Sequence, residues 1–328
     1  MSGAVRVIES STGSVRIHNE IDGRLMERLL KDLEGQVWVD LCGIDPEASE
    51  TVLLDLFDFH PLAIEDALQE QHIPKIDDWD RYIYLVLQDA NLSDPDDSIE
   101  VDVFLGPNFM VTHTKRTSPA IERLVAAAET DPRLFQFGTV RLLSSLANEI
   151  ADNYLRLLDT VNEAVEDLEE RLFHDPHPDL LEEAFILKRD LLHLRRFLGP
   201  QRDVLIKLSR GEYGVIEKSE RIYFRDVSDH FVRLEGLNES LIELTVAARD
   251  TYLSVVNNRL NDVVKILTII TSLFMPLSFL TGFFGMNFFQ PLDLFTGWTG
   301  YLAFGLVLLL TFTLPVGMFA WMKRKRWL

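Results

Sequence analysis

Two long stretches near the C-terminus carry no charge. Lys265 is followed by no Asp, Glu, Lys or Arg until Asp293, and Asp293 by none until Lys323, which leaves uncharged runs of 27 and 29 residues (266–292 and 294–322). Each exceeds the roughly 20 apolar residues that carry a helix across a bilayer core. Paired core helices of a soluble protein are the alternative, but such helices keep charge on the face that meets water. The sequence therefore predicts two membrane spans, about Val263–Phe284 and Gly300–Met322, joined by a short loop.

Charge orients the pair. Lys323-Arg324-Lys325-Arg326 directly follows the second span, and the positive-inside rule places that tail in the cytoplasm. Met1 to Ser14 lacks the apolar stretch of a signal peptide. Two spans put both ends on one side, so the first 261 residues are expected in the cytoplasm of a protein of the cell (plasma or inner) membrane. The single cysteine, Cys42, suits a reducing compartment. Of the net charge of −20, the first 261 residues carry 27 basic and 50 acidic groups, a net of −23. Such a surface repels nucleic acid and attracts cations; a solvated acidic face is the plainer reading of the same composition.

The remainder divides by periodicity. Residues 1–140 read as an α+β domain with a mixed or antiparallel sheet and flanking helices. Strands are expected at Val37–Leu41, Tyr82–Leu87, Ile99–Phe104 and Phe109–His113, and turns at Asp94–Asp97 and Gly106–Asn108. Short helices are expected over 47–58, 62–70 and 118–129. From 141 to 261 the period is helical. One helix ends at Asp175-Pro176-His177-Pro178, a second covers 179–208 with Pro200 as a candidate bend, and a third starts near 216. No proline lies between Pro200 and Pro276, and no glycine between Gly236 and Gly282. The third helix is thus expected to run into the first span, roughly 100 Å at 1.5 Å per residue. A break near Asn257-Asn258 is the alternative. Residues 262–328 form the transmembrane hairpin and its basic tail.

Two helices per chain cannot enclose a pore, so an ion pathway needs several chains around one axis. Asn261, Val264, Leu267, Thr271, Met275, Ser278 and Gly282 are spaced 3, 3, 4, 4, 3 and 4 apart, which puts them on one helix face. Their polar and apolar bands alternate. Polar rings offer oxygens to a hydrated ion, and apolar rings gate by dewetting. A helix-packing face is the alternative, since Ser, Thr and Gly are common there.

The loop after the first span begins Gly285-Met286-Asn287. At that position the triplet resembles the signature of the CorA family of divalent-cation channels. Leu267–Ile270, Phe274–Leu277 and the Lys323–Leu328 ending are also similar to that family, as is His60-Pro61-Leu62-Ala63-Ile64-Glu65-Asp66 followed by Pro74-Lys75. The likeness covers nearly the whole chain, most strongly from about 250 onward. It implies a funnel-shaped homopentamer in membrane lipid. Gly285, Met286 and Asn287 would form the selectivity filter, and the face from Asn261 to Gly282 would line the pore. Mg²⁺ would be both transported and regulatory, with Co²⁺ and Ni²⁺ as further cargo. An amide ring suits Mg²⁺, which keeps much of its hydration shell. By motif matching, Asp66 and Asp250 would sense cytoplasmic Mg²⁺ between neighbouring subunits, with Glu65 and Asp226 as a second site.

Other readings are weighed on the same residues. The zinc-transporting branch of the superfamily, with proton coupling, is the nearest rival, because Phe288–Asp293 supplies a single carboxylate. A non-conducting membrane-anchored sensor or scaffold is the second. His174-Asp175-Pro176-His177 reads as a helix-ending turn rather than a metal site. No nucleotide-binding Gly-x-x-x-x-Gly-Lys-Ser/Thr and no His-Glu-x-x-His occurs, so no enzyme is expected.

Overall fold

The described residues form seven strands, most of them runs rich in β-branched and aromatic residues: Ala4–Ser11 (β1), Ser14–His18 (β2), Gln36–Cys42 (β3), Lys75–Asp78 (β4), Ile83–Ala90 (β5), Ser98–Leu105 (β6) and Phe109–Thr114 (β7). They build one sheet of order β2-β1-β3-β7-β6-β5-β4. The computed structural model describes residues 4–11, 14–32, 35–70, 73–135, 138–286 and 301–325. The neighbouring pairs are antiparallel except β3 with β7, whose parallel register sets Val39 beside Val111. The sheet is therefore mixed, as the strand clustering predicted.

Alternation along the strands divides the side chains between two cores. On one face Val39, Tyr84, Val86, Phe104 and Val111 pack with Met26 of α1 (Gly23–Lys31) and with Ala63 and Ile64 of α3 (Pro61–Leu68). On the other, Trp38, Leu85, Val103 and Met110 pack with α4 (Pro119–Thr130), α5 (Gly138–His174), α6 (Asp179–Arg210) and the first part of α7 (Arg221–Phe284). The sheet is thus covered by helices on both faces, which explains why β5 is buried along its whole length.

Local chemistry fixes the helix starts. Pro61 opens α3 behind His60, whose Nδ1 accepts the Leu62 N–H at 3.2 Å. The His60 ring stacks on Trp79, and the His60 backbone N–H donates to the Tyr82 hydroxyl at 2.9 Å. Ser118 caps α4 by accepting the Ile121 N–H. α6 ties itself to the sheet where β4 has run out. β4 pairs with β5 only as far as Val86, so Gln88 lacks a strand on that side. Gln201 of α6 takes the strand's place, accepting the Gln88 N–H at 2.7 Å and donating to its carbonyl at 3.2 Å.

Two helix expectations change. The helix expected over 47–58 is α2 (Pro46–Thr51) followed by a π turn, Val52–Leu56. α6 is the helix expected over 179–208 and is continuous at Pro200. α7 begins at Arg221, not near 216, because the preceding residues close a turn. In that turn the Glu220 N–H donates to the Glu217 carbonyl at 3.0 Å, and the Glu217 N–H donates to the Glu220 carboxylate at 2.9 Å. α7 passes Asn257-Asn258 unbroken. The chain divides into two compact units, Met1–Asp250 and Thr251–Leu328. α7 contributes to both, and the second also holds α8 (Tyr301–Arg324).

Candidate functional site

In the second unit each helix has one covered stripe. Between 263 and 284 the half-buried residues of α7 are Ile269, Ser272, Leu273, Pro276, Leu277 and Leu280. On α8, Val307, Thr311, Leu314, Pro315 and Met318 are half-buried and Met322 is buried. Two such stripes are what a helix pair buries when it packs along one seam. Asn261, Val264, Leu267, Thr271, Met275, Ser278 and Gly282 are all exposed. At about 100° per residue these seven centre on the side of α7 opposite its covered stripe. The packing seam within the chain and the banded polar face are therefore different faces. Met275 is 71% exposed and Phe279 69%; apolar surface of this extent has to be covered by lipid or by other chains. Both helices are long and apolar enough to cross a membrane.

The polar bands present acceptors. The Thr271 hydroxyl donates to the Leu267 carbonyl at 2.8 Å, so its proton is committed within the helix. What it shows outward is oxygen lone pairs, the half of a hydroxyl that suits a cation or the waters around one. At the end of α7 the Gly285 N–H donates to the Thr281 carbonyl at 2.9 Å. A Cβ at Gly285 would lie 2.8 Å from that carbonyl oxygen, too close for any side chain, so the first residue of the triplet has to be glycine. Met286 is exposed. Asn287 lies outside the described residues.

The four predicted regulatory acids occupy two helices. Glu65 and Asp66 are on α3, where Glu65 is exposed and accepts from Gln69 Nε2 at 3.2 Å. Asp226 and Asp250 are on α7, both exposed, and Asp250 pairs with Arg249 at 3.0 Å. Asp66 forms an ion pair with Lys75, whose ammonium also lies 3.0 Å from Asp77 and over the Tyr84 ring, 5.3 Å from its centroid. Lys75 belongs to the Pro74-Lys75 motif, and its sequence signal is its position at the start of β4, the strand that follows α3. Partly exposed carboxylates are hard oxygen donors and fit Mg²⁺, which binds through one or two carboxylates and keeps several waters. Among the described residues no three His, Cys, Asp or Glu side chains converge within one chain. His174 ends α5, and Asp175, Pro176 and His177 lie in the turn between α5 and α6.

Behind Lys75 lies a buried polar chain. The Tyr84 hydroxyl donates to Asp102 Oδ1 at 2.7 Å, and Asp102 Oδ2 is 3.4 Å from His113 Nδ1. Burial pushes the Asp102 carboxyl up to about 6, with His113 opposing the shift. A carboxyl raised in the fold above its unfolded value opposes folding when ionised. The cost is present above pH 6, fades as pH falls through 6, and is gone below the unfolded value near 4. Asp102→Asn retains both hydrogen bonds without the buried charge. It is expected to stabilise the protein by about 2 kcal/mol at pH 8 and to flatten the pH dependence between 4 and 7. Urea unfolding of the full-length protein in detergent measures this; a variant less stable than wild type at pH 8 contradicts it.

Residues 34–324 match the family model described as CorA-like Mg²⁺ transporter protein. The chain is 35% identical over 292 residues to YfjQ of Bacillus subtilis, covering 88% of this chain and 89% of that one. It is 31% identical over 312 residues to the cobalt/magnesium transport protein CorA of Thermotoga maritima, covering 91% and 85%. Over 273 residues it is 27% identical to the zinc transport protein ZntB of Pectobacterium carotovorum, covering 82% and 81%. The fold matches the complete structure of the CorA magnesium transporter from Methanocaldococcus jannaschii with a TM-score of 0.79 at 22% identity, over 98% and 97% of the two chains. Members of this family are transporters rather than enzymes. With its helix-covered sheet, its long helix and its C-terminal apolar helix, the chain belongs to the CorA-like family of divalent metal-ion transporters.

Proposed function

We propose that this protein conducts Mg²⁺ passively into the cytoplasm, with Co²⁺ and Ni²⁺ as further cargo, through a homopentameric pore in the plasma or inner membrane. In this reading residues 1–140 and 141–261 are the cytoplasmic sheet domain and helical stalk, residues 262–328 are the transmembrane hairpin, and both termini are cytoplasmic. The observation behind it is the banded face of α7, exposed on the side opposite the hairpin seam. A face left uncovered within one chain, with acceptor oxygens between apolar rings, suits a pathway shared by several copies. Gly285, Met286 and Asn287 would form its outer filter.

Donor chemistry supports Mg²⁺ over Zn²⁺. No His or Cys occurs after His230, so the side chains of the hairpin offer oxygen ligands and the thioethers of methionine. Mg²⁺ takes oxygen, whereas zinc sites are built from nitrogen and sulfur as well. The zinc reading keeps one favourable observation, the single carboxylate, Asp293, between the spans. Gating follows from the acids. Asp66 with Asp250, and Glu65 with Asp226, would meet across subunit boundaries, where Mg²⁺ bridges surfaces that otherwise repel and holds a closed state; depletion releases it. The lack of a three-acid cluster within the described part of one chain supports a shared site.

Uptake into proteoliposomes tests this. Mg²⁺ influx is expected to follow an inside-negative potential, with about 4.6 kcal/mol available per ion at 100 mV, and to ignore a pH gradient. Zn²⁺ influx that requires a proton gradient points to the zinc reading instead, and no flux of any divalent ion points to a sensor.

A further inference from the structure

We propose that Lys75 is a tethered competitor for the divalent cation at Asp66 and raises the Mg²⁺ concentration at which the protein closes. The inference rests on the reading of Asp66 as a regulatory acid. Its own basis is the cradle around the Lys75 ammonium, which lies between the carboxylates of Asp66 and Asp77 and over the Tyr84 ring. Two carboxylates and an aromatic face are a cation site, and the chain fills it with a cation of its own. The three charged side chains are 30–42% exposed, so ions in solution reach them.

The position is built rather than incidental. α3 delivers Asp66 and β4 delivers Lys75 and Asp77. Lys75 and Asp77 are two residues apart on one strand, so they project from the same side of the sheet. Beneath them Tyr84 is fixed by its hydrogen bond to Asp102, which holds the ring under the ammonium. Asp66 and Asp77 outweigh partial burial and hold the Lys75 ammonium above its ordinary value. Lys75 therefore stays charged at any cytoplasmic pH, and the device answers to ions rather than to protons.

A divalent ion arriving at Asp66 meets a positive charge already bound there. It has to displace the ammonium, which the flexible lysine stem allows. Because the ammonium is tethered, it competes at high effective concentration. A monovalent ion with the same charge gains little by replacing it, whereas a divalent ion gains twice the Coulomb attraction. Once Lys75 withdraws, Asp77 adds a second carboxylate to the field around the metal. Lys75 would thus keep the sensor from filling with monovalent cations and set its divalent threshold higher than bare carboxylates would.

Mg²⁺-dependent protection of the full-length protein from chymotrypsin provides the test, since that protease does not depend on the lysine being changed. Lys75→Met is expected to lower the midpoint Mg²⁺ concentration about tenfold, the equivalent of about 1.4 kcal/mol. Lys75→Arg, which keeps the charge, should stay within about twofold of wild type. Asp66→Asn should weaken protection, and the double variant Asp66→Asn/Lys75→Met should behave like Asp66→Asn alone. If Asp66→Asn weakens protection while Lys75→Met titrates like wild type or at higher Mg²⁺, the competitor role is wrong and Asp66 keeps its regulatory one. If Asp66→Asn titrates like wild type, both fall. Should Lys75→Met be cleaved at every Mg²⁺ concentration, Lys75→Gln replaces it with the same expected shift.

Discussion

Asn287→Ala is expected to reduce Mg²⁺ uptake into proteoliposomes to the background of empty vesicles, a loss of about a hundredfold or more, while leaving Mg²⁺-dependent protease protection intact. The loss follows from the chemistry of the proposed cargo. Mg²⁺ gives up water reluctantly, so a selective mouth has to bind the hydrated ion through oxygens that accept from its waters. An amide does this without the tight hold of a carboxylate. In the proposed homopentamer alanine would remove that oxygen from every subunit at once, and the symmetry of the ring would multiply the defect. Protection is expected to survive because the proposed sensor acids lie within Met1–Asp250, the unit that does not contain the triplet. Asn287→Asp separates the two demands on a filter: it is expected to bind Mg²⁺ more tightly at the mouth and to slow its release, so that flux saturates at lower Mg²⁺. Unchanged uptake in Asn287→Ala would remove the filter from the proposal.

The parts of the molecule with strong, long periodicity were legible in the sequence. The strands at β3, β5, β6 and β7 and the helices α5 and α6 lie where alternation and three-four spacing put them. The α7 face was legible because seven residues keep one helical phase over more than five turns. β1, β2, α1 and β4 were not read. β4 is four residues, Lys-Ile-Asp-Asp, and looks like a polar loop; its strand character comes from pairing with β5, a tertiary effect that local preference does not record. β1 interleaves Arg6 and Glu9 with apolar residues. Arg6 is tolerated there because Asp40 and Glu122, both distant in sequence, neutralise it. The proposed sensor acids rest on motif resemblance alone. The pairing of Asp66 with Lys75 was not legible, because it depends on α3 and β4 meeting in space. Among 50 acidic residues before position 262, no local pattern tells a carboxylate that faces water from one that faces a lysine.

The same limit applies to Asp89, whose replacement by alanine is expected to destabilise the protein by about 3–5 kcal/mol. Asp89 is fully buried at the end of β5. One of its oxygens accepts from the Ser118 hydroxyl at 2.7 Å and from the Ala120 N–H at 3.1 Å, and the other accepts from Asn153 Nδ2 at 2.6 Å. Those donors belong to the cap and first turn of α4 and to the middle of α5, so one carboxylate fastens two helices to the sheet. Burial holds its pKa above the ordinary aspartate value, and the hydrogen bonds from Asn153, Ser118 and Ala120 oppose that shift. Alanine would strand all three donors in a site with no room for bulk water, and each buried orphan costs about 1–3 kcal/mol. Asp89→Asn should be milder, since its amide oxygen still accepts on one side while its NH₂ faces a donor on the other. Ser118→Ala, which removes one donor and the α4 cap together, should cost about 1 kcal/mol. Urea unfolding of the full-length protein in detergent ranks the three. The order Ala at 89, then Asn at 89, then Ala at 118, from most to least destabilised, is the signature of an acceptor shared by several donors. Equal losses for all three would mean that the Ser118 bond alone holds α4 to the sheet.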